Sequence, residues 1–568
     1  MKKDFLHQKN SSALVSLQAG LMSLGTFLSR ILGFFRDLFI ASFFSKTETD
    51  IFFVAFRFPN FFRRLLGEGA FSASVTPALT EHLVKKGKEE TKKLHSSLFS
   101  LLFCLTVILT LFGVLFMESI MKFLFEGSAY GSIEGKLEKT IVVAQLIFTY
   151  LFFVSLYSYF MSVAQVFGRF FLPAMAPAFF NISLIAFAWM PKDWCPFPSL
   201  SLAWAVILGG ILQLLPVLFE LFRLNLLPQL YFRKNPELLR IGKRFLPGTL
   251  GLAGLSFIGL INVYFAGQLE EGANSYIYYG DRLMEFPRAL IAVSLGTALI
   301  PELTRQYTVN SLLKLKKTMN YYLNFLLFLT LPCAVVFFFQ SEIIIQMLFG
   351  RGEFDQASVI QTAMVLKIYT VVLVFSSLSR VLSSCFFAIN KNWFMVIGSI
   401  LFVAFHFILA WFLTPLYGLK GLVGATAISS VLYFLILTVC LFYLIGKINF
   451  KSLIVLLLNV APGLLALSLC LIFIPFLFNR FYCILSNIFL SSSCSLHAEL
   501  AFESFSSFLS SSHIFSFSYI QSNSLISFLV FVFSCSTGGF FYLWLSRLFK
   551  EPMAEDCLKL LQKSFGSR

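Results

Sequence analysis

The sequence predicts an all-α polytopic membrane protein with about fourteen transmembrane helices, and three observations carry the prediction. Apolar residues make up 58% of the 568 positions and charged residues 13%, with a mean hydropathy of +0.82. A soluble domain runs near 45–50% apolar and about 25% charged, so this chain has too little polar surface to coat a body in water. The apolar residues gather in stretches of about the 20 residues that cross a bilayer. Those stretches also repeat along the chain.

In order, the spans cover 13–43, 51–80, 95–125, 140–168, 172–190, 200–222, 245–268, 275–302, 319–349, 359–388, 393–414, 421–446, 452–478 and 525–546. Lys2 and Lys3 ahead of the first would suit a secretory signal. No small-residue cleavage site ends that run, however, and Arg30 and Arg36 interrupt it, so it reads as a span. With the N-terminus inside, most of the 44 Lys and Arg residues fall on inner segments, such as Lys85, Lys86, Lys88 and the stretch from Arg233 to Arg244. The outer connection 269–275 carries acids only. This positive-inside bias places both ends in the cytoplasm. Part of the net charge of +16 is therefore a topology signal, and no nucleic-acid partner is implied. The ten cysteines form no CxxC pair, and seven lie in or at the edge of spans, as small packing residues do. Residues 479–524, between spans 13 and 14, hold fifteen serines with little charge or periodicity. Topology places this segment outside.

Phe58-Pro59 followed by Pro77-Ala78-Leu79-Thr80 recurs as Phe286-Pro287 followed by Pro301-Glu302-Leu303-Thr304. Leu124-Phe125 near Gly127 recurs as Leu348-Phe349 with Gly350 and Gly352. The offset is 228 residues at the first pair and 224 at the later ones, a drift of about one helical turn. Each copy thus holds an even number of helices, six, and the two copies insert in the same orientation. Parallel repeats of this kind build transporters, with the substrate path between the halves. The expected organisation is a lobe over 1–225, a second lobe over 226–450 and a central cavity. Residues 451–568 add spans 13 and 14, the 479–524 insertion and a cytoplasmic tail.

Charges inside the spans point to the site. Span 1 carries Arg30, Gly33, Arg36 and Asp37. Span 2 carries Arg57, Pro59, Asn60, Arg63, Arg64, Gly67 and Glu68, and span 8 carries Asp281, Arg282, Glu285 and Pro287. A central arginine costs about 2.5–3.5 kcal/mol on insertion scales, so several facing lipid would cost on the order of 10 kcal/mol. They must face a watery cavity or one another. At 100° per residue Arg30 and Asp37 share a helix face, with Arg36 about a third of a turn away. Arg57, Asn60, Arg64 and Glu68 form a stripe on which Arg64 and Glu68 can pair. One reading is that these groups are internal ion pairs holding helices together. The other is an anionic ligand, because Arg30, Arg36, Arg57, Arg63, Arg64 and Arg282 outnumber Asp37, Glu68, Asp281 and Glu285. The planar guanidinium fork suits phosphate.

The run from Ser29 to Pro77, with its SRxxGxxRD start, FVAFRFPNFFRR core and GEGAFSASVTP end, closely resembles the MurJ (MviN) family of lipid II flippases. FLPAMAPAFFNIS at 171–183, YGDRLMEFP at 279–287 and LFGRGEFD at 348–355 match the same family, and the resemblance covers roughly residues 13–450. It implies a member of the multidrug/oligosaccharidyl-lipid/polysaccharide exporter superfamily, with two six-helix lobes around a central cavity and two extra C-terminal helices. The implied cargo is lipid II, an undecaprenyl pyrophosphate bearing a disaccharide-peptide, moved to the periplasmic leaflet of the bacterial inner membrane. Family cavity arginines fall on Arg30, Arg36, Arg63 and Arg282, and family acids on Asp37, Asp50 and Glu68. The expected assignment sets Arg36 and Arg282 on the pyrophosphate, with Arg30 and Arg63 guiding the headgroup and Asp37 orienting guanidinium groups in the empty site. Arg64, Asp281 and Glu285 add supporting cavity charge.

No GxxxxGK[ST] phosphate loop occurs, so no ATP hydrolysis is expected, and neither HExxH nor GxSxG is present. A membrane enzyme acting on lipid phosphates would need a base among the arginines, and none of the six histidines lies there. The expectation is therefore a transporter with no cofactor and no metal, coupled to the membrane potential or to an ion. A sibling exporter for another lipid-linked oligosaccharide or a drug is the alternative. Gly33, Pro59, Gly67 and Pro287 are candidate bending points. The partners expected are lipid II, membrane lipids and cell-wall synthesis proteins, with the chain working as a monomer.

Overall fold

The computed structural model describes residues 2–66, 70–232, 237, 238, 241, 256–446, 451–489, 524–548, 552–554 and 556. In order its helices are α1 (Lys2–Phe43), α2 (Lys46–Leu66), α3 (Ala70–Phe125), α4 (Lys136–Phe148), α5 (Tyr150–Val166), α6 (Phe171–Ala188) and α7 (Pro198–Arg223). They continue with α8 (Ser256–Ala266), α9 (Ala273–Pro287), α10 (Ser294–Thr308), α11 (Leu312–Phe349), α12 (Gln356–Ala388), α13 (Trp393–Ile445), α14 (Lys451–Phe489) and α15 (Ser524–Leu548). Every apolar stretch read from the sequence is helical over most of its described residues. Among the described residues, ten helical segments are long and apolar enough to cross a membrane.

The helices overrun the spans where the intervening residues favour helix. Around Lys85 and Lys88 the sequence suggests a loop, yet α3 runs on through it and breaks at Gly87, whose φ of 79° and ψ of −178° a side chain would resist. Glu81 and Lys85, 2.6 Å apart at i,i+4, support the helix up to that break. Gly418, at φ 58°, likewise divides α13 into two arms, the eleventh and twelfth spans. The helix of span 13 continues to Phe489, into the serine-rich segment. Residues 490–523 of that segment lie outside the described residues, as do Gly67 and Glu68.

Large apolar side chains remain exposed in stripes. On α3 Leu101, Leu105, Ile108, Phe112 and Leu115 are 41–74% exposed at helical spacing. In water such a stripe would be an aggregation surface. In a bilayer it meets hydrocarbon at no cost.

Packing divides the described residues into two compact units, one of Met1–Asp281, Arg351–Ser358 and Asn390–Cys440, the other of Arg282–Gly350, Val359–Ile389 and Leu441–Arg568. In the first, α6 packs against α1 and α7, α2 against α4, and α3 against α5. Gly25 permits the close approach of α1 to α6, since a Cβ there would lie 3.1 Å from the Met175 nitrogen. One end of this unit gathers the connections after α1, α3, α6 and α8 together with residues 351–358. Tyr130 N–H donates to the Gly267 carbonyl (3.0 Å), Glu353 N–H to the Ser42 carbonyl (3.0 Å), and Lys192 lies 3.8 Å from Glu353. The opposite end holds the Gly87 break and the segment after α7, joined where Lys88 Nζ donates to the Leu224 carbonyl (2.9 Å).

In the second unit α14 packs against α15 and α11, and α10 against α11. Tyr542 on α15 donates its hydroxyl to the Phe328 carbonyl of α11 (2.8 Å), satisfying a phenol that hydrocarbon would leave unpaired. Between α9 and α10 the chain widens into a π-helical turn, Arg288–Val293, directly after Pro287. A proline removes one backbone donor, and a π turn is one way for the ladder to absorb that loss.

Candidate functional site

Arg36 and Asp37 lie in α1, flanked by apolar residues. Arg36 is 9% exposed and Asp37 fully buried. The guanidinium folds back along its own helix so that Nε (3.0 Å) and Nη2 (2.7 Å) both donate to Asp37 Oδ1. Neighbours at i and i+1 do not normally face each other on a helix; the length and fork of arginine make the contact. Nη1 donates to Asn181 Oδ1 on α6 (3.0 Å) and Nη2 reaches the Tyr278 hydroxyl on α9 (3.1 Å). Tyr278 also donates to Asp37 Oδ1 (3.2 Å), and its ring stacks on Phe53 of α2 at 3.8 Å. Asn181 in turn donates to the Ser29 carbonyl (3.0 Å), clamping α6 to α1 one residue before Arg30. Four helices thus hold one buried cation.

A second charged cluster of this unit forms at the start of α2. Asp50, 1% exposed, accepts from Lys136 Nζ (3.2 Å) and the Gly272 N–H (2.8 Å) through Oδ2, and from the Ser275 N–H (2.9 Å) and hydroxyl (2.8 Å) through Oδ1. Its carboxylate sits on the N-terminus of α9, where unsatisfied N–H groups and the helix dipole favour an anion. Glu48 does the same for α7 by accepting from the Ser199 N–H at 2.7 Å. Lys136, at the start of α4, is 1% exposed, with its ammonium 4.3 Å from the centre of the Tyr130 ring. Burial and the nearby Asp50 push the Tyr130 phenol well above its ordinary range, so it stays a neutral donor, 2.8 Å from the Thr140 hydroxyl.

The remaining sequence-predicted residues are more open. Arg30 and Arg64 are exposed. Arg63 donates to Asn60 Oδ1 one turn back (3.0 Å), so Asn60 serves Arg63 although Arg63 lies off the expected stripe. Pro59 is buried within an unbroken α2, and Gly33 is buried within an unbroken α1. Asp281, at the edge of the first unit, and Arg282, which opens the second, are half-buried. In that second unit Glu285 pairs with Arg288 at 3.0 Å. Sequence reasoning missed Asn181, Tyr278 and Lys136 as members of these clusters. Asn181 was legible as a polar group inside the otherwise apolar run 171–183, and Tyr278 adjoins the YGDRLMEFP run, whereas nothing local marks Lys136.

The helical membrane bundle buries an arginine among side-chain partners, the kind of intramembrane charge that marks the substrate paths of transporters. Its fold is similar to that of a solved multidrug resistance MATE family transporter of the MOP superfamily, itself captured in an inward-facing conformation, with a TM-score of 0.63 at 16% identity over 74% of this chain and 94% of the other. The sequence profile of the lipid II flippase MurJ family matches residues 39–493, and the chain belongs to that family. It is similar to the probable lipid II flippase MurJ of Bdellovibrio bacteriovorus, 36% identical over 77% of this chain and 83% of the relative. It is also similar to the lipid II flippase MurJ of Burkholderia cenocepacia, 31% identical over 64% and 71%. A solved lipid II flippase MurJ in an inward closed conformation superposes with a TM-score of 0.69 at 22% identity, covering 93% of this chain and 98% of that one.

Proposed function

We propose that the chain is a lipid II flippase, carrying the pyrophosphate-linked peptidoglycan precursor from the cytoplasmic to the periplasmic leaflet of the bacterial inner membrane. The observation that carries the reading is the buried Arg36 fork, held by side chains rather than backbone, in a chain of this family. Pyrophosphate oxygens can take the places of Asn181 and Tyr278 on the guanidinium without unfolding any helix. Arg282 meets the same headgroup, and Arg30 and Arg63 guide it. The lobes are 1–225 and 226–450 around a central cavity, with 451–568 as an appendix, and both termini lie in the cytoplasm. Transport proceeds by alternating access, with Gly33, Pro59, Gly67 and Pro287 as bending points. The chain acts as a monomer and meets cell-wall synthesis proteins at its cytoplasmic connections. The membrane potential helps, because moving a doubly negative headgroup outward gains about 2.3 kcal/mol per charge per 100 mV.

The test is translocation of fluorescent lipid II in sealed proteoliposomes, read with an impermeant quencher under an imposed potential. Arg36→Lys keeps a cation beside Asp37 but lacks the fork, and Arg282→Ala removes the second cation. The native chain should move lipid II, and each variant should bind it at least tenfold more weakly and stall. Native-like transport by both variants would make these arginines structural. Transport of another lipid-linked sugar in place of lipid II would overturn the cargo.

A further inference from the structure

In the first unit, α3 closes on its neighbours at two glycines and leaves a gap between them. Phe148 of α4 fills the space over Gly113, and Phe125 of α3 fills the space over Gly267, just after α8. Ser119, between the two, is too small to do the same. A groove of about 310 Å³ remains there, walled by α3, by Phe58 of α2 and by Leu260 of α8. Its α3 wall runs from Phe116 to Leu124, about 12 Å along the helix axis. Apart from Ser119 the lining side chains are apolar. Phe116 and Phe123, 47% and 85% exposed, carry the outward-facing stripe of α3 into the groove, which therefore opens toward the bilayer. An engineered apolar cavity of about 150 Å³ holds one benzene, so a space twice as large holds about twelve chain carbons.

At the end of α3 the rim of the groove is acidic. Glu118 pairs with Lys122 at 2.6 Å, both side chains being half-exposed. Glu126 and Glu138, both exposed, stand near enough to act on the same lysine. The other cations of this stretch are engaged elsewhere: Lys139 lies over the Phe197 ring at 5.7 Å, and Lys136 is held by Asp50. Three acids thus surround one lysine. A pyrophosphate or an anionic phospholipid head meets net repulsion at this rim. A head that carries an ammonium beside its phosphate finds both signs in place, the ammonium donating to the carboxylates and the phosphate accepting from Lys122.

We propose that this groove binds one acyl chain of an ammonium-headed phospholipid, with the chemistry of phosphatidylethanolamine, whose head sits on Glu118, Lys122 and Glu126. The chain takes the place of the side chain that Ser119 lacks, and it joins the last third of α3 to α2 and α8. Assigning that lipid to the outer leaflet rests on the orientation proposed in the previous section; the site itself does not.

Native mass spectrometry of the purified chain, offered equal amounts of phosphatidylethanolamine, phosphatidylcholine and phosphatidylglycerol, tests the headgroup. The first should be retained severalfold over each of the others, and equal retention of all three overturns the proposal. Glu126→Lys reverses the rim and should shift retention toward phosphatidylglycerol; an unchanged preference also overturns it. Position is tested in nanodiscs with phosphatidylethanolamine bearing a photoreactive diazirine on its acyl chain. Residues 116–124 should be labelled severalfold more strongly than residues 101–108 on the same stripe, and Ser119→Trp, which fills the groove, should abolish that excess. Even labelling along α3 would reduce the contact to ordinary bilayer lipid, and displacement of the label by unlabelled lipid II would make the cargo's tail the occupant. Either result overturns the proposal. None of these readouts needs transport, so a chain that keeps the labelling but does not move lipid II counts against the flippase reading alone.

Discussion

The Asp50 and Arg36 clusters use the same ingredients, a carboxylate and a cation buried in one helical unit, and arrive at different chemistry. At Asp50 half of the partners are part of the backbone, the rest being the Ser275 hydroxyl and the Lys136 ammonium. Two are backbone N–H groups of the α9 terminus, and the cation comes from Lys136, 86 residues away on α4. Losing these bonds means unravelling a helix end or separating α2, α4 and α9. At Arg36 the ion pair is with its own neighbour, so it joins no helices. The links to α6 and α9 are instead the side chains of Asn181 and Tyr278, which can rotate away. The contrast teaches that burial alone does not mark a ligand site. What matters is whether the partners of the buried charge can be exchanged without loss of secondary structure.

Asp50→Ala should produce the largest effect. It strips a buried lysine and a helix terminus of their counter-charge, and breaking such a pair costs about 3–5 kcal/mol. Thermal unfolding in detergent should fall steeply, and an unchanged Tm would refute the anchoring role. Replacing both partners, Asp50→Leu with Lys136→Met, removes the unpaired charge and should recover part of that loss, although the α9 donors stay uncapped. A double variant as unstable as Asp50→Ala would show that capping, not the ion pair, dominates. The smallest effect belongs to Tyr278→Phe, which keeps the stack on Phe53 and deletes the hydroxyl bonded to Arg36 and Asp37. A hydrogen bond to a charged group contributes about 1.5–3 kcal/mol, but two such bonds share one rotatable hydroxyl here. Tm should therefore drop by a few degrees at most, while lipid II affinity should change severalfold. A Tm loss as large as that of Asp50→Ala would erase the distinction between the clusters.

The sequence by itself determined the class of fold. Spans of about 20 apolar residues can satisfy their backbone in hydrocarbon as helices or closed barrels, and these spans have the length of helices. It also determined that arginines inside spans needed partners, and the SRxxGxxRD and YGDRLMEFP runs brought Arg36, Asp37 and Arg282 into view as one family's pattern. Most helices run close to the expected spans, but α1 begins eleven residues early at Lys2, α14 runs eleven residues past its span to Phe489, and the expected loop near Lys85 narrows to a break at Gly87.

Only the tertiary structure decided what each charge does. Asp50 looked like one more cavity acid, and three-dimensional packing made it the cap of a helix 222 residues later. Lys136, which hydropathy leaves between two spans, is buried by packing. Hydropathy is a local sum over neighbours in sequence, so it reports which residues enter the membrane. The partners of a buried charge come from helices that meet only after those spans have packed, and a side chain's role is set by those partners.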